Sequence, residues 1–547
     1  MKTAKTLAYS LVAFGAAATA HHAGAAAAPK PASQNSPKPN IIYVLADDMG
    51  CGDVSAYNPN SAWKTPNIDR LAREGIRFTD AHSSSAVCTP SRYTLLTGRY
   101  SWRSERKSGV CGGLSPSTML EPGRMTVASF LKQQGYATAM IGKWHLGLNW
   151  TRAGAKGPVK GADDEFDGEK PYRPKAKDGP ADFSKKFGGG PVSYGFDYFL
   201  GISASLDMPP YVWLINDRAD PSKLPARPIQ GNDSQKQLWR SGLAGKGFHH
   251  ADVLPHMSNE AIRYIAAQNT QTPFFLYLAL TAPHTPILPG PGFEGSTGTT
   301  DYGDFCAQVD AVIGNILTVL AAKGLDENTI VIFATDNGAS PAANFKELAA
   351  LKHDPTLGRR GYKADIYEGG HRVPFIARWP ARIPANRTSG QLIHLGDLLA
   401  TCADITGAKL PANAGEDSAS ILPALTGVVG GEATVAPPHE AIVHHSNNGS
   451  FAIRQGSWKL CLCPDSGGWS HPKPGAAPRG APSFQLFNLD DDPKEKDNLY
   501  AQHPEIVRRL GLLLKQYVLD GRSTPGAPQK NAGGNNWPEL AWMKQFK

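Results

Sequence analysis

Apolar positions along the chain follow two rhythms. Asn40-Ile41-Ile42-Tyr43-Val44-Leu45-Ala46 is a continuous apolar run, the pattern of a strand covered on both faces. Ala137 to Ile141, Phe274 to Leu280 and Thr329 to Thr335 repeat it. Helical spacing lies between these runs. Val309, Val312, Ile313, Ile316, Leu317 and Leu320 mark one face of a helix from Asp304 to Leu320. Thr65-Pro66 opens a helix through Leu71, with Thr65 as its cap. Thr89-Pro90 opens another, which Gly98 closes, and Met125 to Gln134 forms one more that ends at Gly135. Strands alternating with helices predict an α/β fold, a large mixed and mostly parallel sheet sandwiched by helices.

From Gly427 to Pro438 the chain is rich in Gly, Ala and Pro. Beyond it, Ala452-Ile453-Arg454 and Trp458-Lys459-Leu460 flank Gln455-Gly456 as a hairpin. Gln485-Leu486-Phe487 adds a short strand and Glu505 to Leu519 a last helix. The expected organisation is a main domain over residues 39–430 and a smaller C-terminal α+β domain over 431–547. Trp150 to Pro191, dense in Gly, Lys, Pro and Asp, reads as a long surface excursion of a length associated with function.

Ahead of the first strand the pattern changes. Lys2 and Lys5 precede an apolar stretch from Leu7 to Ala20, then small residues at Ala18-Thr19-Ala20 and Ala23-Gly24-Ala25. That is the form of a secretory signal, expected over residues 1–27, with a flexible linker over 28–38. The mature protein is expected to be exported, to the periplasm or the exterior. No run of eighteen apolar residues follows, so no membrane-spanning helix is expected.

Composition adds little beyond this. With 41% hydrophobic and 19% charged residues the chain is an ordinary globular one, neither fibrous nor disordered. The formal charge of +8 falls to about +6 without Lys2 and Lys5. Such a mild excess suits an anionic substrate or an ordinary surface, and nothing in the chain points to nucleic acid. The 7 cysteines are an odd count, which invites one special residue, and none has zinc-type spacing.

Polar residues stand directly after the apolar strands: Asp47-Asp48, His145, His284 and Asp336-Asn337. In open α/β sheets ligands bind outside the carboxyl ends of strands, so these residues nominate a site. Asp47, Asp48, Asp336 and Asn337 offer hard oxygen ligands for one Ca²⁺, with Mg²⁺ also compatible. Lys143 and His145 alternate along an extended segment and would face the same way.

Cys88-Thr89-Pro90-Ser91-Arg92 then narrows the chemistry. It resembles the signature of the type I sulfatases, in which this cysteine is oxidised to a formylglycine (3-oxoalanine) aldehyde. The resemblance continues through Asp47-Asp48, Gly142-Lys143-Trp144-His145-Leu146-Gly147, Pro283-His284-Thr285-Pro286, Asp336-Asn337-Gly338 and Glu368-Gly369-Gly370-His371-Arg372-Val373-Pro374. At the C-terminus, Leu486-Phe487-Asn488-Leu489, Asp492-Pro493 and Asn498-Leu499 also match.

The resemblance implies an alkaline-phosphatase-like fold and hydrolysis of sulfate monoesters. It makes residue 88 both nucleophile and metal ligand: the hydrated aldehyde attacks sulfur, and its second hydroxyl lets sulfate leave by re-forming the carbonyl. Arg92, one helical turn from Cys88, would steady that oxygen. Lys143 would bind a sulfate oxygen, and His145 would deprotonate the nucleophile. His284 would be the acid for the leaving alcohol, assisted by Lys363, although Lys352, Arg359 and Arg360 are also basic. A formylglycine-generating enzyme is the implied partner, acting before folding and export.

Ser83 to Val87, Gly201 to Tyr211 and Gly521 to Gly526 resemble bacterial sulfatases similar to N-acetylgalactosamine-6-sulfatase. That implies a sulfated carbohydrate substrate, 6-O-sulfated galactose or N-acetylgalactosamine, attacked from the non-reducing end. Asp207, Asn216, Arg218, His249, His250 and Arg522 are candidate sugar contacts. Other readings are an arylsulfatase, a 4-O-sulfatase, a phosphatase or phosphodiesterase of the same superfamily, or a binding protein that has lost catalysis.

Overall fold

The computed structural model describes residues 37–115, 117–152, 180–427 and 436–547. The expected signal peptide and all but the last two linker residues lie outside them. So do most of the excursion after Trp150 and the expected domain boundary at 430/431.

Among the described residues, ten strands form the main sheet. In chain order they are β1 Asn40–Ala46, β2 Ile76–Phe78, β3 Ala137–Lys143, β4 Tyr198–Ile202, β5 Leu214–Ile215 and β6 Arg218–Ala219. They continue as β7 Phe274–Ala279, β8 Thr329–Thr335, β9 Phe375–Arg378 and β10 Arg387–Ser389. Their spatial order is β10-β2-β9-β8-β1-β7-β3-β4-β5-β6. The central run β8-β1-β7-β3-β4 is parallel throughout, so those strands end on one edge.

β1 is buried along its whole length, and its side chains alternate between two cores. Ile41, Tyr43 and Leu45 meet Leu95, Phe130 and Leu399, from helices α2 Cys88–Thr97, α3 Val127–Gln133 and α6 Leu398–Thr406. Ile42, Val44 and Ala46 meet Ile68, Met257 and Val309, from α1 Pro66–Arg73, α4 Val253–Ala266 and α5 Asp301–Ala322. This two-sided burial is why the strands read as unbroken apolar runs. α5 is long and apolar enough to cross a membrane, but its apolar face is packed in the second core.

A separate antiparallel sheet follows: β11 Ile442–His445, β12 Phe451–Gln455, β13 Trp458–Cys461 and β14 Gln485–Asn488. Helix α7 Pro504–Asp520 covers it through Leu510, Leu514 and Val518.

Two local expectations are corrected. α2 starts at Cys88, not Thr89, and the cap position is Val87, which has no side-chain acceptor. The Thr89 hydroxyl instead donates to the His145 carbonyl at 2.8 Å. Lys143 and His145 do not alternate along one extended segment: β3 ends at Lys143, and His145 has a left-handed φ of 57°. The turn is prepared at Gly142, whose φ is 120° and where a Cβ would lie 1.9 Å from the Ala279 carbonyl oxygen.

Glu368-Gly369-Gly370-His371 forms a short buried helix whose polar network reaches the antiparallel sheet. Lys459 of β13 donates to Glu368 at 3.1 Å, Glu495 at 2.8 Å and His371 Nε2 at 3.0 Å. Its ammonium thus holds together the acids and imidazole that would otherwise suit a metal. His371 Nδ1 lies 3.0 Å from His82 Nδ1, and His82 Nε2 lies 2.9 Å from Asp80. His444 stacks on His371 at 3.7 Å, and neither ring nitrogen has a hydrogen-bond partner. The His371 carbonyl accepts from Ser83 N at 2.8 Å, five residues before Cys88.

Burial keeps these imidazoles neutral. His82 is lowered to about 4, and His371 and His444 lie well below the ordinary value, with Lys459 and the neighbouring histidines adding to the effect. Unfolded histidines take up protons near pH 6.5, which the native rings refuse. Their stabilisation is therefore complete above about pH 6.5 and is lost as pH falls toward 4. For His82 the loss at pH 5 is about 2 kcal/mol relative to neutral pH. His444→Phe keeps the stack and removes one titrating ring. The variant is expected to lose less melting temperature than wild type between pH 7.5 and pH 5, as thermal unfolding at both values checks. Parallel losses in the two proteins would exclude His444 from the effect.

Candidate active site

The strand ends converge. β1 delivers Asp47 and Asp48, β8 delivers Asp336 and Asn337, β3 delivers Lys143 and His145, and β7 leads to His284. Cys88 enters from the first turn of α2 and is 2% exposed. Asp48, like His145, has a positive φ, at 66°, a conformation concentrated at functional sites.

Three carboxylates are tied by cations. Arg92 donates to Asp336 Oδ2 at 2.7 and 3.0 Å and lies 3.5 Å from Asp47. Lys143 Nζ lies 2.5 Å from Asp47 Oδ2. Lys363 Nζ lies 2.7 Å from both oxygens of Asp48. This separates Lys363 from its basic neighbours. Arg359 donates to the Thr356 carbonyl, and Arg360 donates to the Glu495 carbonyl and covers the Tyr367 ring. Asn337 Nδ2 donates to Asp48 Oδ1 at 2.7 Å, which turns its amide oxygen the other way.

Asp47 Oδ1 and Asn337 Oδ1 are fully buried and have no hydrogen-bond partner. Orphaned buried oxygens are costly unless something satisfies them, and a hard cation does so. Possible ligand atoms of Asp47, Asp48, Cys88 and His284 lie within 4.8 Å of one another. The donor set therefore fits one divalent cation such as Ca²⁺. The charges show the same crowding. Burial, then the neighbouring Asp47, raises Asp336 to about 7. Asp47, against the effect of burial, is held well below the carboxylate range by Lys143 and then His284 and Arg92.

The two histidines are set differently. Both ring nitrogens of His145 are buried without partners. His284 Nδ1 lies 2.6 Å from the Thr285 carbonyl, which assigns a proton to that nitrogen and leaves Nε2 with a lone pair. Burial and then Lys363 lower its pKa. Burial pushes the Cys88 thiol up to about 12. Cys88 itself holds no disulfide.

A cavity of about 710 Å³ opens over the cluster, lined by Cys88, His145, Ser205, Asp207, His284 and Lys363 among others. Of the candidate sugar contacts, Asp207 lines it, paired with Arg240, which also lines it. The others do not. Asn216 accepts from Phe199 N at 3.0 Å and shapes a turn. Arg218 is exposed beside Asp217. His249 lines a different, smaller cavity. His250 stacks on Trp239 at 4.7 Å, and so supports the segment carrying Arg240. Arg522 donates to the carbonyls of Thr524 and Ala527 at 2.7 and 3.0 Å, fixing the C-terminal loop.

Sequence reasoning missed Ser205, whose hydroxyl lies 3.2 Å from Lys143 Nζ and 3.3 Å from His284 Nδ1. The available signal was that Ser203-Ala204-Ser205 directly follows a strand, β4.

The sulfatase family model matches residues 39–408. The chain belongs to the sulfatase family. It is a sulfuric ester hydrolase by that membership. An N-acetylgalactosamine-6-O-sulfatase of Bacteroides thetaiotaomicron is 34% identical, over 88% of this sulfatase and 93% of the relative. Human arylsulfatase A is 32% identical, over 90% and 91%. A solved structure from a study of the metabolism of multiple glycosaminoglycans by Bacteroides thetaiotaomicron superposes with a TM-score of 0.73 at 33% identity, covering 88% of this chain and 99% of that one. At 19% identity and a TM-score of 0.53, a phosphonate monoester hydrolase of Agrobacterium radiobacter shares the fold alone, covering 88% of this chain and 95% of that one.

Proposed function

We propose that this sulfatase is an exported, exo-acting enzyme that removes 6-O-sulfate from galactose or N-acetylgalactosamine of host glycans, mucin or glycosaminoglycan. Residue 88 is carried as formylglycine, and one calcium ion sits at the carboxylate cluster. The observation that carries the reading is the convergence of Cys88, four oxygen-bearing side chains, two lysines and two histidines on one cleft. The relative named for N-acetylgalactosamine-6-O-sulfate supports the sugar.

Asp47, Asp48, Asp336 and Asn337 would hold the calcium ion, which supplies Lewis-acid stabilisation of sulfate oxygens. The aldehyde, once hydrated, would supply an oxygen nucleophile in place of a thiol. The remaining work falls to the chain's own residues. Lys143 and Lys363 neutralise sulfate oxygens from buried positions, where a fixed charge stabilises a transition state most. Arg92 holds Asp336 and Asp47 in place. His145, with unpartnered nitrogens, accepts the nucleophile's proton. His284 presents Nε2 to the leaving oxygen, and the negative charge of the bound ester favours its protonation. Ser205 bridges Lys143 and His284.

Because Cys88 is buried at a helix start, its oxidation by a maturating enzyme has to precede folding and export. Mass spectrometry of the peptide carrying residue 88, from the native host, is expected to show aldehyde. The substrate is tested by sulfate release from 6-O-sulfated galactose, N-acetylgalactosamine and N-acetylglucosamine, 4-O-sulfated galacto sugars and nitrophenyl sulfate. Release from the galacto-configured 6-sulfates alone is the expected result. The arylsulfatase A relatives make an aryl or 4-O-sulfatase the second reading, and activity confined to those substrates would establish it.

A further inference from the structure

The reacting groups come from the main sheet, but the cleft has another wall. Trp469 and Asn447, on loops of the C-terminal antiparallel sheet, line the same cavity as Cys88 and Lys363. Trp469 is 43% exposed, one of few large apolar side chains left open to solvent. Among the described residues, no aromatic ring or cation covers its indole. An open tryptophan at the mouth of a catalytic cleft is a binding surface rather than unfinished core.

Its backbone is fixed with care. Asp365 accepts from Trp469 N at 2.7 Å and Ser470 N at 3.0 Å, and also from Tyr362 N at 3.0 Å. The loop is therefore clamped to the turn that carries Lys363. Gly468 packs so closely on that turn that a Cβ would lie 2.3 Å from the Ala364 carbonyl oxygen. Asn447 N donates to the same carbonyl at 2.9 Å, and Ala364 N donates to Ala86 O at 2.7 Å, beside the nucleophile segment. The backbones of Lys363 and Trp469 are thus clamped together, which favours recognition of a sulfate and its sugar together.

We propose that Trp469 is the platform on which the sugar ring of the substrate stacks, making the C-terminal sheet a specificity element of this sulfatase. The inference rests on the sulfated galacto sugar proposed above. An axial O4 leaves one ring face with three C–H groups, a flat apolar patch that matches an indole.

The test uses the full-length enzyme with 6-O-sulfated N-acetylgalactosamine. Wild type, Trp469→Ala and Trp469→Phe are compared for kcat, KM and inhibition by inorganic sulfate. Trp469→Ala is expected to raise KM by about 10- to 100-fold with kcat changed by less than about 3-fold. Trp469→Phe, which keeps an aromatic face, stays within about 3-fold of wild type in KM. Inhibition by inorganic sulfate is unchanged in both, because the lysines remain in place. An unaltered KM in Trp469→Ala overturns the platform. So does a parallel weakening of sulfate inhibition, which would make the loop a mere prop for Lys363. If wild type cleaves a different sugar sulfate, the galacto reading fails on its own. The same three proteins are then compared on that sugar, where an unchanged KM again removes the platform. Activity on nitrophenyl sulfate alone removes both.

Discussion

Cys88→Ala is expected to lower sulfate release by at least about 10⁴-fold while leaving the fold intact. The change deletes one sulfur atom at the first turn of α2, and that sulfur holds no disulfide. Arg92 pairs with Asp336, Lys143 with Asp47 and Lys363 with Asp48 without it, so the charged cluster survives. What disappears is the group proposed above as the nucleophile. Electrostatic stabilisation by the lysines and the cation site persists, so a residual rate above the uncatalysed one remains. Initial rates on the 6-sulfated sugar, with melting temperature as the folding control, read both quantities. Equal rates in the two proteins would remove residue 88 from the chemistry. A fully active wild type whose residue 88 has the mass of a plain thiol would remove the aldehyde and keep the site.

The second large effect is at Asp47. Asp47→Ala takes away a carboxylate that faces two buried cations, Lys143 at 2.5 Å and Arg92 at 3.5 Å, and an oxygen that is otherwise unpartnered. Leaving a buried charge without its partner costs about 3–5 kcal/mol, so the variant is expected to melt at a lower temperature. It is also expected to lose its bound divalent cation and at least about 10³-fold in rate. Calcium should raise the melting temperature of wild type by binding only the native state, and should leave that of Asp47→Ala unchanged. Metal content of the purified protein, unfolding with and without added calcium, and initial rates check the three statements separately. A chelator-stripped wild type that keeps its full rate would sink the cation's role.

Both experiments address residues that stand out in the sequence for different reasons. Asp47 is visible because a wholly buried strand ends in a charge, which the sheet would not tolerate in its interior. The same rule finds Asp336, His284 and His145. Cys88 is visible only through its motif, since a lone cysteine is otherwise an ordinary small core residue. Lys363 was ambiguous among four neighbouring basic residues until the turn of 361–365 brought its ammonium, and not those of Arg359 or Arg360, to Asp48.

The chain by itself determined the α/β architecture, the strand ends that carry the acids, and the family to which those motifs belong. Each depends on local periodicity or on a short contiguous motif, and burial on both faces of a strand writes itself into every residue of that strand. What the chain did not carry was assembly across long separations. Ser205, Arg240 and Trp469 reach the cleft from segments with no periodic pattern, and only the paths of the backbone bring them to Cys88. For the same reason Arg218, His249 and Arg522, polar residues as plausible as Asp207 when read in a line, lie elsewhere. Their surroundings are set by turns and loop packing, such as the carbonyls that hold Arg522, and not by anything in the adjacent residues. The Lys459 network shows the same physics in the core: its histidines and acids come from the segment at 80–82, the short helix 368–371, β11 and Glu495, and tertiary packing alone turned a would-be metal cluster into the buried seat of a lysine.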